Sequence, residues 1–195
     1  MKKFTFKKDS SLKKHLASKI KLMFVLAAII GGSVNIARAD DTTTKSHSAA
    51  DTETVSLLNG KQHFKLAGYV QQPAPEGMPG SMYYNKQAKR IILVSEEPVP
   101  LAARAGTDHD FLNGLRSFKD KQKAADPSYT VVSEQTEEKN GLEFYHLEAT
   151  SNMDGTDVFQ ATLIAVGNHK FSLIQVISNQ KDKAGHIAAV KNITG

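Results

Sequence analysis

The stretch that decides the fold runs from Tyr129 to Ser178 and reads YTVVSEQTEEKNGLEFYHLEATSNMDGTDVFQATLIAVGNHKFSLIQVIS. It is rich in β-branched and aromatic residues and largely alternates polar with apolar positions, which is typical of β-strands. Turn signals divide it at Lys139-Asn140-Gly141, Met153-Asp154-Gly155 and Gly167-Asn168. Consecutive strands on tight turns predict an antiparallel meander, with strands at Tyr129–Thr136, Leu142–Asn152, Thr156–Val166 and Lys170–Ser178.

Shorter strand patterns precede this meander. His63-Phe64-Lys65-Leu66 alternates polar and apolar residues, as a half-buried strand does. Ser81–Asn85 and Arg90–Ser95 predict a strand pair around a turn, and the second strand is apolar on both faces, which predicts a central position. The segment Gln71–Gly80 contains three prolines and two glycines and predicts a loop.

Two helices are expected around the sheet. The first starts at Thr107 as N-cap, carries apolar residues at helical spacing and ends at Asp126-Pro127. The second spans Lys181–Thr194 and is expected to place Ile187, Val190 and Ile193 on the sheet. The pattern predicts an α+β fold, an antiparallel β-sheet flanked by two helices.

The N-terminal segment, residues 1–39, predicts a secretory signal peptide. A Lys-rich region precedes nine uninterrupted apolar residues, Leu22–Ile30, and Ala37-Arg38-Ala39 supplies the small residues that signal peptidase recognises at Ala37 and Ala39. A membrane-spanning helix needs roughly 20 apolar residues, so we expect cleavage after Ala39. A retained segment would instead anchor the domain to the membrane.

Removal of residues 1–39 changes the charge of the protein. This segment holds nine of the 25 basic residues and one of the 20 acidic residues, so 16 basic and 19 acidic residues remain, a net charge of −3 in place of +5. The basic character that would favour nucleic-acid binding is therefore lost. Residues 40–54 are polar and predict a disordered tether, followed by a folded domain at residues 55–195.

The chain contains no cysteine. This excludes disulfides, thiol nucleophiles, cysteine-ligated zinc and iron–sulfur clusters. It also excludes a lipid-modified cysteine after the signal peptide. The sequence therefore predicts a soluble periplasmic protein that is not a lipoprotein.

Two groups of residues are candidates for metal binding. His146 and Glu148 lie two apart on a predicted strand and share a face, as half of a zinc-deaminase pattern would, but that chemistry requires cysteines that the chain lacks. Asp108, His109 and Asp110 are also possible ligands, although they fit equally well as the first turn of a helix. Hydrolase, phosphate-loop and dinucleotide-binding motifs are absent, so we expect no enzymatic activity and no cofactor.

Several short motifs resemble the DcrB family of bacterial envelope proteins. They are Leu57-Leu58-Asn59-Gly60-Lys61, Ala125-Asp126-Pro127 with Tyr129-Thr130-Val131-Val132, and the run Gly141–Ser178 with Ala165-Val166-Gly167-Asn168 at a hairpin turn. The resemblance covers roughly Leu57 to Gly195 and implies a Mog1/PsbP-like fold, an α/β/α sandwich. It further implies a periplasmic accessory role in envelope biogenesis and, in some bacteria, an influence on phage susceptibility. Enterobacterial members resemble lipoproteins with a cysteine after the signal, where this chain has Ala39-Asp40.

The function expected from these observations is non-enzymatic binding of another envelope protein or a nascent lipoprotein. The loops Gln71–Gly80 and Pro98–Gly106 are long enough to form a binding edge. Two alternatives stay open: a chaperone for an apolar segment of a secreted effector, and a small-ligand or metal-binding enzyme that uses His146 and Glu148.

Overall fold

The computed structural model describes residues 52–75 and 78–195. The predicted signal peptide and residues 40–51 of the predicted tether lie outside this range. The first strand begins at Thr52, slightly before the domain start expected near Val55, because its backbone pairs with the next strand along its full length, from Thr52 opposite Ala67 to Leu57 opposite Gln62.

Nine strands are formed by the described residues, and every pairing is antiparallel. A hairpin forms a separate two-stranded sheet, and the other seven strands form one sheet in the order β3-β4-β5-β9-β8-β7-β6. The bounds are β1 Thr52–Leu57, β2 Gln62–Ala67, β3 Val70–Gln72, β4 Ser81–Asn85, β5 Arg90–Pro98, β6 Thr130–Lys139, β7 Leu142–Met153, β8 Thr156–Gly167 and β9 Lys170–Asn179.

The predicted meander is confirmed, since β6, β7, β8 and β9 are neighbours in sequence order. Its first turn places Asn140 at φ 54° and Gly141 at φ 71°. Positive φ at both central residues is the geometry of the two-residue hairpin turns whose twist matches that of the flanking strands. This turn chemistry fixes the register in which β6 and β7 pair.

Helical segments cover both faces of the large sheet. They are α1 Asp108–Leu115, α2 Phe118–Ala125 and α3 Lys183–Thr194, with 3₁₀ turns at Leu58–Gly60, Leu101–Ala103 and Gln180–Asp182. Thr107 caps α1 through a reciprocal pair of hydrogen bonds with Asp110, as expected. The first predicted helix is divided at Arg116-Ser117, where the Arg116 N–H donates to the Asn113 carbonyl three residues back and so tightens the end of α1.

Two apolar layers hold the domain together. On one face, α1 and the start of α2 pack on Tyr145, Leu147, Ile164 and Leu173 of the meander. On the opposite face, α3 and the β1–β2 hairpin pack on the central strands β4, β5, β8 and β9. The predicted fold class, an antiparallel sheet flanked by helical segments, is confirmed.

One prediction for the last helix is wrong. Ile187 does not lie on the sheet but is 55% exposed, and His186 takes the inward position with 3% exposure. The helix begins at Lys183 after a 3₁₀ turn, so its buried stripe is His186, Val190 and Ile193, at spacings of four and three residues. A histidine fits there because polar groups on the sheet bind both of its ring nitrogens.

Within the described ranges, no helix has both the length and the apolar character needed to cross a bilayer.

Candidate functional site

His146 and Glu148 lie on the same face of β7, the face that α3 covers. The Nε2 atom of His146 is 2.7 Å from Oε1 of Glu148. The Nδ1 atom of His146 lies 3.5 Å from both Gln135 and Glu137 of the neighbouring strand β6. The structure therefore brings the two candidate residues together within a larger polar cluster between the sheet and the last helix.

His186 joins this cluster from α3. Its Nε2 atom lies 3.0 Å from Oε2 of Glu148, and its Nδ1 atom lies 2.9 Å from the Ser178 hydroxyl of β9. Sequence reasoning missed His186 as a member of the site. Its spacing from Val190 and Ile193 is a signal that could have placed it on the buried stripe.

Arg90 extends the row of hydrogen bonds to the start of α3. Its Nε–H donates to the Ser178 hydroxyl at 2.9 Å, and its NH2 group donates to Asp182 at 2.5 Å. Asp182 also caps α3 by accepting from the Gly185 N–H. One row of contacts thus joins three strands to the helix.

The direction of the protons in this row follows from chemistry. Arginine can only donate, so the Ser178 oxygen accepts from Arg90, and the Ser178 hydroxyl forms a second hydrogen bond with Nδ1 of His186. A carboxylate can only accept, so Nε2 of His186 donates to Glu148.

Glu148 is the negative centre of the cluster. Burial raises the pKa of its carboxyl, but hydrogen bonds from His146 and His186 together lower it by more, so the pKa lies below its ordinary value. Glu148 therefore remains ionised at neutral pH and keeps accepting from both rings.

A serine, a histidine and a carboxylate in one row invite comparison with a catalytic triad, but the geometry differs. In a triad the serine oxygen is exposed to substrate while the histidine acts as base. Here Ser178 is 1% exposed, and its oxygen is already occupied by Arg90. The arrangement fixes α3 on the sheet and gives Ser178 no route to a substrate.

The metal candidates do not form a metal centre. No group of three or more His, Cys, Asp or Glu side chains within residues 52–75 and 78–195 could hold a metal ion. Asp110 is occupied by the cap of Thr107, and His109 lies 2.5 Å from Glu143. Asp108 lies in the first turn of α1, where a carboxylate favours the positive end of the helix.

A second ionic cluster occupies the opposite face of the sheet. Glu134 of β6 accepts from Lys119, Arg116 and Tyr145, and the Arg116 guanidinium lies 5.9 Å from the centre of the Tyr145 ring. Burial raises the pKa of Glu134, but these donors together lower it by more. The cluster attaches α1 and α2 to the sheet edge in the same way that the first cluster attaches α3.

A pocket of ≈ 360 Å³ opens at the β3 edge of the sheet. Its floor includes Gln71 and Ser81, which face the same side of the sheet and are joined by a hydrogen bond of 3.0 Å. Glu53 and Tyr69 line it from the hairpin side, and residues 72–74 line it from the loop. This pocket lies at the segment Gln71–Gly80, one of the two segments expected to form a binding edge. The loop is shorter than predicted, because Gln71 and Gln72 pair with β4 as part of β3.

Close approach of the backbone shapes one wall of this pocket. Gly80 has φ +95°, and a Cβ atom there would lie 2.0 Å from the Val94 carbonyl oxygen. Only glycine permits this approach, since any side chain would collide with the backbone of β5. The loop is thereby held against the sheet directly before β4.

Glu53 gives the lining of the pocket a negative charge. Glu53 is partly buried and forms no salt bridge with any residue in the described part of the chain. Burial and then the charge of Glu53 raise the pKa of the Tyr83 hydroxyl, while a hydrogen bond with Ser81 acts in the opposite sense. The charge of Glu53 therefore acts on Tyr83, the residue that pairs with Gln71 of the pocket.

A seven-stranded antiparallel sheet with a helical layer on each face defines a Mog1/PsbP-like domain. The solution structure of cyanobacterial PsbP (CyanoP) from Synechocystis sp. PCC 6803 is similar to it, with a TM-score of 0.55 and 10% identity. The match covers 78% of this chain and 94% of that chain. It supports the fold and, at this identity, nothing further.

Two other solved structures are weaker likenesses. The Ran-binding protein Mog1p of Saccharomyces cerevisiae has a TM-score of 0.43 and 10% identity, over 72% of this chain and 84% of that chain. LpqN, involved in cell envelope biogenesis of Mycobacterium tuberculosis, has a TM-score of 0.44 and 10% identity, over 76% and 84%. No protein-family model and no curated protein matches the sequence, so the resemblance to the DcrB family stays a prediction.

Proposed function

We propose that this chain is a non-enzymatic periplasmic accessory protein in envelope biogenesis that binds an extended segment of another envelope protein or a nascent lipoprotein. The observation that carries the proposal is the unpaired edge of β3 beside the pocket at the loop Gln71–Gly80. Extended segments bind by adding a strand to such an edge, and neighbouring pockets select their side chains.

The β3 edge has the features that such binding needs. All three of its residues are exposed, and β4 is its one partner within the sheet. Val70 is 45% exposed and lies against the pocket, so an incoming segment would cover apolar surface as well as form backbone hydrogen bonds.

The opposite edge, β6, suits strand addition less well. A bulge interrupts its register between Val131 and Ser133. Charged side chains follow at Glu134, Glu137 and Glu138. Bulges and charges on an edge strand discourage pairing with another chain, and β6 carries both.

The enclosed polar cluster supports a binding role over an enzymatic one. Ser178 and His186 are both buried, and their hydrogen-bonding groups are used to fix α3. A nucleophile with this geometry holds two elements together and does not meet a substrate. His146 and Glu148, the residues of the alternative enzyme, are hydrogen-bonded to each other, and Glu148 also accepts from His186, so this pair belongs to the cluster that fixes α3.

The chaperone alternative requires an apolar groove on the surface. A groove for an apolar helix would require a contiguous apolar patch of several hundred Å². The large apolar side chains that are exposed in the described ranges lie on four separate elements: Val70 on β3, Leu101 on a 3₁₀ turn, Val131 and Val132 on β6, and Ile187 on α3.

The periplasmic location and the link to phage susceptibility belong to the same proposal. The predicted signal peptide supports export, and the short motifs that resemble the DcrB family support an envelope role.

Site-specific photo-crosslinking in living cells tests this function. A photoreactive residue replaces Val70 at the β3 edge, and a matched variant carries it at Val132 at the β6 edge, where the original side chain is also exposed. We expect one reproducible envelope protein to be captured, in mass spectrometry, from position 70 and not from position 132. Capture of the protein itself alone, or equal capture from both positions, would contradict the proposal.

A further inference from the structure

The pocket beside β3 has a chemistry that selects one kind of side chain. Its one charged lining residue among those described is Glu53, and the other polar groups, Gln71, Gln72 and Ser81, are neutral. The Tyr69 side chain completes the lining on the hairpin side. An ammonium or guanidinium group gains from a carboxylate and from an aromatic ring together.

The position of Glu53 follows from the register of the hairpin. Glu53 and Val55 lie two apart on β1 and therefore point to the same face, and Val55 packs in the core beneath the hairpin. Glu53 lies beyond the end of that core, on the side where the pocket opens, and lines the pocket. The next residue, Thr54, is exposed on the other face.

Arg90 brings a positive charge to Tyr69 of the pocket lining, and this charge is already paired. Arg90 contacts the Tyr69 hydroxyl at 3.4 Å, but its guanidinium is paired with Asp182 at 2.5 Å and bonded to Ser178. It therefore leaves the charge of Glu53 unbalanced. A carboxylate that has no salt-bridge partner among residues 52–75 and 78–195 creates a preference for a cation from outside.

We infer that the pocket is a subsite for a lysine or arginine side chain on the extended segment that pairs with β3. The backbone of that segment lies along Val70–Gln72, its basic residue enters the pocket towards Glu53, and an adjacent apolar residue covers Val70. This inference rests on the proposed function. It adds a preference for segments that carry a basic residue, since a free strand edge alone would accept any extended sequence.

Binding of two peptides tests this subsite. The probe is the labelled peptide Ser-Thr-Val-Lys-Val-Thr-Ser, in which valine flanks the lysine on both sides, and its control has glutamate in place of lysine. Fluorescence anisotropy at low ionic strength, with the protein purified from the envelope fraction, measures both. We expect the lysine peptide to bind roughly tenfold more tightly than the glutamate peptide, because an opposite charge replaces a like charge next to Glu53.

Variants of the pocket sharpen the test. Glu53→Gln should abolish the preference for lysine, and Glu53→Lys should reverse it in favour of the glutamate peptide. Gln72→Glu adds a second carboxylate and should strengthen the preference. Glu138→Gln, exposed on the opposite edge strand, is the matched control and should leave the preference unchanged. Thermal unfolding of each variant establishes that it is folded.

The outcomes separate the subsite from the proposed function. Equal binding of the two peptides, no binding of either, or a preference that survives both Glu53 substitutions would overturn the cationic subsite. Capture of an envelope protein from position 70 in cells does not depend on charge and would still support binding at the edge. If no envelope protein were captured from position 70, the proposed function would be contradicted as well.

Discussion

The Nε2 atom of His186 lies 3.0 Å from Oε2 of Glu148, and this contact joins the last helix to β7 across the face of the sheet. His146 binds the other carboxylate oxygen at 2.7 Å. Glu148 thus accepts from one ring on its own strand and one ring on the helix. The position of α3 depends on an ionised carboxylate at this point.

Glu148→Gln should lower the stability of the domain and change its pH dependence. At neutral pH we expect a loss of about 1–3 kcal/mol in the free energy of unfolding, because hydrogen bonds to a charged acceptor are replaced by weaker ones. The folded-state pKa of Glu148 lies below the ordinary value of 4.5, so its contribution is present above that pH and is lost as the pH falls through the folded-state pKa.

Urea unfolding between pH 7 and pH 3 measures this effect. The difference between the original protein and Glu148→Gln should narrow as the pH falls below about 4.5, because protonation removes the charge that the substitution removes. Glu138→Gln is the control, since that carboxylate is exposed. A difference that stays constant over the whole range would show that Glu148 does not act through its charge.

His186→Ala and Ile187→Ala test which side of α3 faces the sheet. Removal of His186 takes one hydrogen-bond partner from each of Ser178 and Glu148 and opens a cavity, so we expect a loss of about 2–4 kcal/mol in the free energy of unfolding. Ile187 is exposed, and its truncation should change stability by about 0.5 kcal/mol or less. Chemical unfolding of both variants is the measurement, and the reverse order would mean that the helix is rotated.

The last helix shows where sequence reasoning succeeds and where it fails. Hydrophobic periodicity located the helix and two of its buried residues, Val190 and Ile193. It predicts that Ile187 faces the sheet, because an apolar side chain is expected to be buried in preference to a histidine. His186 is buried instead, because it binds Ser178 and Glu148, which are distant in sequence and become its partners only in the folded sheet.

The meander depends on local sequence, whereas the pocket depends on residues that are distant in sequence. The turn at Asn140-Gly141 depends on local backbone conformation, so the sequence predicts it and the strands on either side. The pocket depends on Glu53 from the hairpin and Ser81 from β4, which no local pattern relates. The loop Gln71–Gly80 could be selected from its composition, but its charged lining could not.

Gly80→Ala and Gly60→Ala form a matched pair that tests how the loop contacts the sheet. Both glycines have positive φ, so alanine is strained at either position, at a cost of about 1 kcal/mol. A Cβ atom at position 80 would in addition collide with the Val94 carbonyl, whereas one at position 60 meets nothing within 4 Å. Gly80→Ala should therefore be the more destabilising by about 2 kcal/mol or more. Equal losses in thermal unfolding would contradict this packing.

Intact-mass measurement of the protein from the envelope tests the predicted export. Cleavage after Ala39 should give a mature chain that begins at Asp40. Replacement of Ala37 and Ala39 by bulky residues should block cleavage and leave the protein attached to the membrane. Recovery of the original chain with Met1 still present would show that the segment is retained as an anchor.

Amide hydrogen exchange of the domain with and without its partner tests the central claim most directly. The partner is the envelope protein identified by crosslinking, added without a crosslink. Binding at the β3 edge should slow exchange at Val70–Gln72, since the amides there that face outward become hydrogen-bonded, and should leave Thr130–Lys139 of β6 unchanged. Slowing confined to β6, or no change at either edge, would contradict the account.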